Sequence, residues 1–376
     1  MIRVPEMPLY WRFKDKPGNS PGDPPARAPF GFDYNPALDL IIEQRSPALT
    51  SLLTDIYSRD ANVGFLQDGH SSVQNYGADF WRFLSDVLKE FSPRSIVEIG
   101  CGGCVLLERL KNEGFSVTGV DPSPVAVKAG HQKGIPIVAE FLSRTSLAVQ
   151  PDMIFQVDVL EHIEDPVAFL ELQADCITGD GLIVVNVPDS TRSIERGDIS
   201  MALHQHVNMY DAGSLSNVFH AAGLEIVKLE RAKYGSGLYC VGRKGRGART
   251  PVKTDPTHWE RFNTLGTRAL GVFHEHVGTA RKAGGSIGFF MPQRAFPYLG
   301  TLGWFEGFRV FDNMNFWHRR YLDGLDIPIE NQADLIAAPV DHLFIMSLTF
   351  GDEVASALRR EAPAMKTVTL QQMLAV

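Results

Sequence analysis

The sequence predicts an α/β fold built from two successive parallel-sheet lobes, the second smaller than the first. Three observations carry this. Short apolar runs alternate with helical stretches from Ser95 to Val187, the rhythm of βαβ units around a parallel sheet. The first run, Ser95-Ile96-Val97-Glu98-Ile99, leads straight into the glycine turn Gly100-Cys101-Gly102-Gly103, where a parallel sheet opens its carboxyl edge to ligands. A similar rhythm resumes after a stretch rich in Gly, Arg, Lys, Thr and Pro at 242–255, the best place for the chain to divide.

The bulk numbers bound the answer. A chain of 376 residues has room for two or three domains at about 150 residues each. It is 44% hydrophobic and 21% charged, which suits an ordinary buried core. The net charge of −8 argues against a nucleic-acid partner, which needs a basic face. Lys244, Arg246 and Arg249 do cluster, but among glycines, as in a linker. No apolar run approaches the roughly 18–20 residues that span a bilayer, so no membrane partner is expected. Arg3 and Glu6 have no long apolar segment behind them, so no secretory signal is expected either. Four cysteines are too few for a disulfide scaffold, and a cytoplasmic location follows as the expectation.

The elements can be justified in order. Met1 to Pro36 is rich in Pro, Gly and aromatics and reads as an arm over the surface or a disordered tail. Pro36 to Tyr57 carries apolar residues near helical spacing, and Ala78 to Phe91 shows a clear apolar face in Phe80, Phe83, Leu84, Val87 and Leu88. Strands are expected at 95–99, 116–120, 136–139, 153–157 and 182–187, with helices at 105–112, 124–132 and 167–174 between them. A helix at 212–222 and a strand pair at 225–230 and 238–242 close the unit. Beyond the linker come a helix over about 259–282 and strands at 287–291, 308–311 and 342–347. The domains are therefore expected at 1–77 (arm and helical cover), 78–245 (cofactor binding) and 255–376 (substrate lobe).

The cofactor site centres on Val97 to Asp121. Glycines let the main chain turn sharply and approach a ligand. Glu98, two residues before Gly100, can support the loop and attract the ammonium of a methionine moiety, and a dinucleotide site needs no acid there. A dinucleotide loop also wants Gly or Ala at the sixth position of its pattern, which here is Val105. Asp121 ends the next strand, where an acid can accept ribose hydroxyls. Cys101 and Cys104 form a C-x-x-C pair without a second cysteine pair. They can be read as metal or redox thiols or as small loop fillers, and no metal is assigned.

Glu98-Ile99-Gly100-Cys101-Gly102, Val120-Asp121-Pro122 and the run Asp158-Val159-Leu160-Glu161-His162-Ile163-Glu164-Asp165-Pro166 resemble, in order and spacing, class I S-adenosylmethionine methyltransferases. The likeness covers about Ala78 to Lys244. It implies a Rossmann-like methyltransferase domain with S-adenosyl-L-methionine as cofactor. It places Glu98, Gly100 and Gly102 at the methionine and loop region, Asp121 on the ribose, Glu140 and Phe141 at the adenine, and Gln156 and Val157 at the methyl-donor end. The loop departs from the family at Cys104, where a third glycine is usual.

Methyl transfer from a sulfonium is an in-line displacement, so the protein must align donor and acceptor and sometimes remove a proton. His204-Gln205-His206 follows the fifth strand, and histidine has a suitable intrinsic pKa for that work. Two histidines at i and i+2 point the same way if extended and apart if helical, and a structural lid histidine remains the alternative. His204 to Tyr210, with Leu215 and Gly223-Leu224-Glu225 behind, is similar to sugar C-methyltransferases acting on nucleotide-linked keto-deoxysugars. That resemblance implies His206 as general base, His204 as second candidate, Tyr76 as a positioning group in a donor-covering segment that includes His70, and a second, smaller Rossmann-like domain at the carboxyl end. The small-molecule acceptor it implies is a nucleotide sugar. The departures are Gln205 and Leu203 within the histidine segment, and the absence of any cysteine before Cys101 where those enzymes carry a zinc module. O- or N-methylation of a natural product or glycan, and a non-catalytic cofactor-binding partner, stay open.

Overall fold

The computed structural model describes residues 1–9, 12–20, 23–59, 71–245, 254–314, 317–322 and 324–375. His70, Arg246 and Arg249, named above, lie outside the described residues.

The centre of the molecule is a seven-stranded sheet. Across it run Leu224–Arg231, Gly237–Lys244, Leu182–Pro188, Met153–Val157, Ser95–Ile99, Ser116–Val120 and Ile137–Val138, in that order. The last five are parallel to one another. Gly237–Lys244 runs antiparallel between its neighbours. Met153–Val157 and Leu182–Pro188 are near-continuous apolar runs, buried almost throughout, because helices cover both faces of the sheet. On one face Phe80, Phe83, Leu84 and Val87 pack with Leu106, Leu107, Leu110 and Ala126. On the other, Leu170 meets Leu215, Val218 and Phe219. From Ser95–Ile99 the chain first builds outward to Ser116–Val120 and Ile137–Val138, then crosses back to Met153–Val157. That reversal opens a crevice beyond the carboxyl ends of Ser95–Ile99 and Met153–Val157.

A second sheet follows helix Thr257–Lys282. Its five strands, Ile329–Glu330, Phe308–Phe311, Ile287–Phe290, His342–Ile345 and Lys366–Thr369, are all parallel. Phe273, Phe289, Phe296, Phe344 and Leu370 fill one side, and Phe311, Leu343, Leu358 and Met365 fill the other.

A third, antiparallel sheet orders Arg3–Pro8, Arg27–Asn35, Leu40–Glu43 and Asn208–Met209. Here the structure departs from the sequence reading. The amino-terminal stretch does not lie over the surface: Val4 and Met7 are fully buried, and Phe30 and Phe32 nearly so, in one core with Phe262, Phe273 and Phe289. Pro5 is tolerated because the register shifts between Val4 and Met7, where a bulge needs no ladder donor. The helix expected from Pro36 starts only at Pro47. Leu40–Glu43 is a strand instead, because β-branched Ile41 and Ile42 pair with Met209 and Asn208 and tertiary pairing outweighs local periodicity.

Candidate active site

The loop after Ser95–Ile99 is shaped by its glycines. Gly100 has φ +71°, and a Cβ there would come within 2.7 Å of Val159 Cγ2, so this position excludes any side chain. Gly102 also has positive φ, and its N–H donates to Asp121 Oδ2 at 2.8 Å. The other carboxylate oxygen accepts the Ser123 N–H at 2.8 Å. Asp121 thus ties the glycine loop to the end of the neighbouring strand. Cys104, at the usual glycine position, adopts φ +56° and caps helix Val105–Asn112 without a side-chain bond. Its sulfur lies 3.9 Å from that of Cys101, and both thiols are free and buried.

Glu98 is buried beneath this loop, and its Oε2 has no hydrogen-bond partner. Burial, with Cys104 and Asp121 adding to it, pushes its carboxyl well above the ordinary range. An orphaned buried acceptor of this kind fits a cationic group such as the ammonium of methionine. Glu140 accepts from Ser146 Oγ at 2.7 Å. Phe141 beside it leaves 53% of its surface open, a ring available to stack on a planar base. These residues fit an adenosyl-methionine skeleton along the carboxyl edge. Gln156 does not join them. It is fully buried, and its Nε2 donates to Gln173 Oε1 at 3.2 Å. Strand alternation explains this: Gln156 shares a face with Ile154, under helix Pro166–Cys176, while Val157 packs on the opposite side.

The other end of the crevice is richer in ionisable groups than the sequence reading allowed. Asp158, just past its strand, has φ +53°. Tyr76 Oη donates to Asp158 Oδ1 at 3.0 Å and accepts from Asn186 Nδ2 at 2.6 Å. Burial raises the Asp158 carboxyl to about 6, against the lowering effect of the Tyr76 bond. One helical turn on, Glu161 is 1% exposed, and neither of its oxygens has a hydrogen-bond partner. Burial, then the charge of Asp158, drives its carboxyl strongly upward. His162 Nδ1 lies 2.7 Å from the Gln205 carbonyl oxygen. That oxygen only accepts, so Nδ1 carries the proton and Nε2 the lone pair. Burial lowers His162 to about 4, leaving it neutral. His206 is depressed as well, by burial and then by His162 and Arg294, and its ring centroid is 5.1 Å from that of His162. One ligand atom from each of Glu161, His162 and His206 falls within 4.8 Å of the others.

His204 is absent from this group. A turn from Leu203 to His206 sends the two histidines apart. His204 Nε2 donates to the Ala28 carbonyl at 3.1 Å, its ring is 2% exposed, and burial lowers it to about 4. It ties the amino-terminal sheet to the loop and does not face the crevice.

Behind His206 lies a cavity of about 10 Å³ lined in part by Glu43, Met201 and Asn208. Burial lifts Glu43 to about 7 against the pull of Arg45, whose guanidinium sits 2.7 Å away. Arg294, from helix Pro292–Leu299 directly after strand Ile287–Phe290 of the second sheet, contacts Met201 Sδ. The carboxyl-terminal part of the chain therefore reaches this wall. Asp158, Glu161 and Asn186 were not singled out as site residues. The spacing of Asp158, Glu161 and His162 was the available signal, since a one-turn step after a strand sets them side by side. Asn186 gave none.

Residues 73–229 match the family model described as a methyltransferase domain. The match covers less than half of the chain. Among curated proteins, the mitochondrial ubiquinone biosynthesis O-methyltransferase of Schizosaccharomyces pombe is 31% identical over 175 residues, 43% of this chain and 64% of that protein. The ubiquinone biosynthesis O-methyltransferase of Cereibacter sphaeroides is 31% identical over 119 residues, 30% of this chain and 48% of its own length. The chain thus spans less than two thirds of each of these relatives. Among solved structures, the 1,6-didemethyltoxoflavin-N1-methyltransferase of Burkholderia thailandensis aligns over 61% of this chain and 99% of its own, at 17% identity and a TM-score of 0.41. Among the described residues no helix is long and apolar enough to cross a membrane.

Proposed function

We propose that the chain methylates an oxygen of a small polar metabolite, with 78–245 holding the donor and 255–376 completing the acceptor side. One observation carries this reading. The Gly100–Gly102–Asp121 cradle abuts the segment that carries the buried cluster: Gly100 lies directly against Val159, which stands next to Asp158, held by Tyr76, and shortly before Glu161 and His162. The names of the ubiquinone O-methyltransferases similar to this chain support oxygen as the acceptor atom.

Bound S-adenosylmethionine supplies an electrophilic methyl group on a sulfonium. The chain's own part is to hold the acceptor oxygen in line with that carbon and to exclude water. With the donor bound, the acceptor oxygen would take the methyl group as the sulfonium leaves as a neutral thioether, and the buried cluster would accept the hydroxyl proton. Of the candidate bases nominated by the sequence, only His206 belongs to that cluster. Tyr76 positions Asp158 through its 3.0 Å bond. Carbon methylation of a nucleotide-linked keto-deoxysugar is the second reading. It is favoured by the second parallel sheet read as a Rossmann-like acceptor lobe, and by Arg294 as a cation for an anionic group.

The test is a transfer assay with methyl-labelled donor against two acceptor sets, catechols and other hydroxylated rings, and nucleotide-linked keto sugars. Label in an ether product supports the proposal. Label retained at carbon overturns it in favour of the second reading, and no transfer to either set by protein that binds S-adenosylhomocysteine overturns both.

A further inference from the structure

We infer that Arg294 is the recognition group for an anionic substituent, a carboxylate or a phosphate, on the methyl acceptor. The inference rests on the proposed reading in taking the wall around His206 as the acceptor side, and it holds for transfer to oxygen or to carbon.

Three observations converge. The first is placement. In the second sheet the chain starts at Ile287–Phe290, builds outward through Phe308–Phe311 to Ile329–Glu330, and crosses back to His342–Ile345. In parallel sheets, ligands bind at the carboxyl ends of the two central strands at such a reversal. Arg294 stands at that edge, in the first turn of helix Pro292–Leu299. The second is contact with the part of the chain that carries the histidine segment. Arg294 reaches Met201 Sδ, and Met201 lines the same cavity as His206 and Asn208. The third is an unanswered charge. Among the described residues Arg294 makes no ion pair, and its one hydrogen bond goes to a thioether, a weak acceptor. Burial pulls its guanidinium below the ordinary value, with the charge of Asp198 acting in the other direction. The Asp198 oxygens are already occupied by the Ser193 hydroxyl at 3.1 Å and by the N–H and hydroxyl of Ser200 at 2.8 and 3.0 Å. A cation in the first turn of a helix also opposes the helix dipole, so local stability does not account for this residue.

A guanidinium offers five N–H donors in a planar fork that matches the oxygens of a carboxylate or phosphate two at a time. An arriving anion supplies both the counter-charge and the strong acceptors that the described surroundings withhold. A neutral acceptor supplies no counter-charge. Burial, then His162 and Arg294, disfavour the charged form of His206. An anion on Arg294 cancels that residue's share and so eases proton removal by the imidazole. Specificity then comes from 255–376 and the donor from 78–245.

The experiment uses the full chain saturated with S-adenosylhomocysteine and two matched pairs of probes, titrated by calorimetry: 3,4-dihydroxybenzoate against catechol, and thymidine diphosphate against thymidine. In at least one pair the anionic member should bind at least tenfold more tightly. A preference in the first pair identifies a carboxylate acceptor, and in the second a phosphorylated one. Arg294→Met keeps the apolar stem and removes the charge, and should bring the pair to within threefold while S-adenosylhomocysteine affinity changes less than threefold. Circular dichroism identifies a variant that fails to fold, and Arg294→Gln then replaces it. Arg294→Lys should retain part of the preference, because the charge remains and the fork is lost. Absence of any anionic preference in both pairs, or a preference that survives the loss of the Arg294 charge, overturns the inference. Failure of the wild-type chain to bind S-adenosylhomocysteine would instead overturn the methyltransferase reading, so the two failures are distinguishable.

Discussion

Asp121 accepts the Gly102 N–H at 2.8 Å through Oδ2 while its Oδ1 holds the Ser123 N–H at the same distance. One carboxylate thus fixes two adjacent turns, the glycine loop and the turn that follows Ser116–Val120. Asp121→Ala removes both anchors and the acceptor expected to meet the ribose. S-adenosylhomocysteine affinity, measured by calorimetry, should fall at least tenfold, about 1.4 kcal/mol. Unchanged affinity in Asp121→Ala would refute this placement of the donor.

Tyr76 bridges helix Ser71–Phe91 to Asp158 and Asn186. Tyr76→Phe keeps the ring and deletes only the hydroxyl, leaving Asp158 Oδ1 and Asn186 Nδ2 without this partner. A hydrogen bond to a carboxylate contributes about 1.5–3 kcal/mol. Thermal unfolding should therefore shift down by several degrees while S-adenosylhomocysteine affinity changes less than threefold. Equal melting temperatures would show that Tyr76 is not holding Asp158.

Asp79 gives the pH dependence. Burial alone would raise its carboxyl, but the N–H groups of Lys233 and Tyr234, the Arg82 guanidinium and the Tyr239 hydroxyl outweigh burial and hold it below the ordinary carboxylate value. A depressed folded pKa adds stability that is fully present above the unfolded value, about 3.9. That stability is lost as pH falls through the folded value. Asp79→Asn should cost about 1–3 kcal/mol at pH 7. Its penalty should shrink as denaturant melts are taken to progressively lower pH, through the depressed folded value, and a penalty independent of pH would contradict the charge-based account.

The legible parts of the fold were those in which local pattern and final environment agree. Strands such as Ser95–Ile99 and Met153–Val157 stand where they were expected, because a both-faces-buried strand is a continuous apolar run. Gly100, Gly102 and Asp121 were legible because a positive-φ turn and a strand-end acid leave a trace in residue type. Gln156 was not, since a period of two decides which face it takes and a one-residue difference reverses it. His204 and His206 were ambiguous for the same reason, and only the turn at Leu203 resolved them. Leu40–Glu43 read as helix because its true partner, Asn208–Met209, lies more than 160 residues downstream, beyond any local pattern.

Gly119 tests why Cys101 occupies the donor loop. A Cβ at Gly119 would come within 2.5 Å of Cys101 Sγ and 2.6 Å of Ile137 Cδ1, closer than any real side chain tolerates. The sulfur therefore fills the space that the glycine vacates between the loop and Ser116–Val120. Gly119→Ala should destabilise by about 1–3 kcal/mol, the usual cost of overpacking, and should also loosen donor binding because the displaced group belongs to the loop. Cys101→Ala leaves a small void and costs less. Together the two substitutions should cost less than the sum of the singles, since the new methyl enters the room left by the sulfur, and the coupling should reach about 0.5 kcal/mol or more. Strict additivity in urea melts would mean that Ile137, rather than Cys101, sets the penalty. A Cys101→Ala variant that lost more stability than Gly119→Ala would point to a role for the thiol beyond packing.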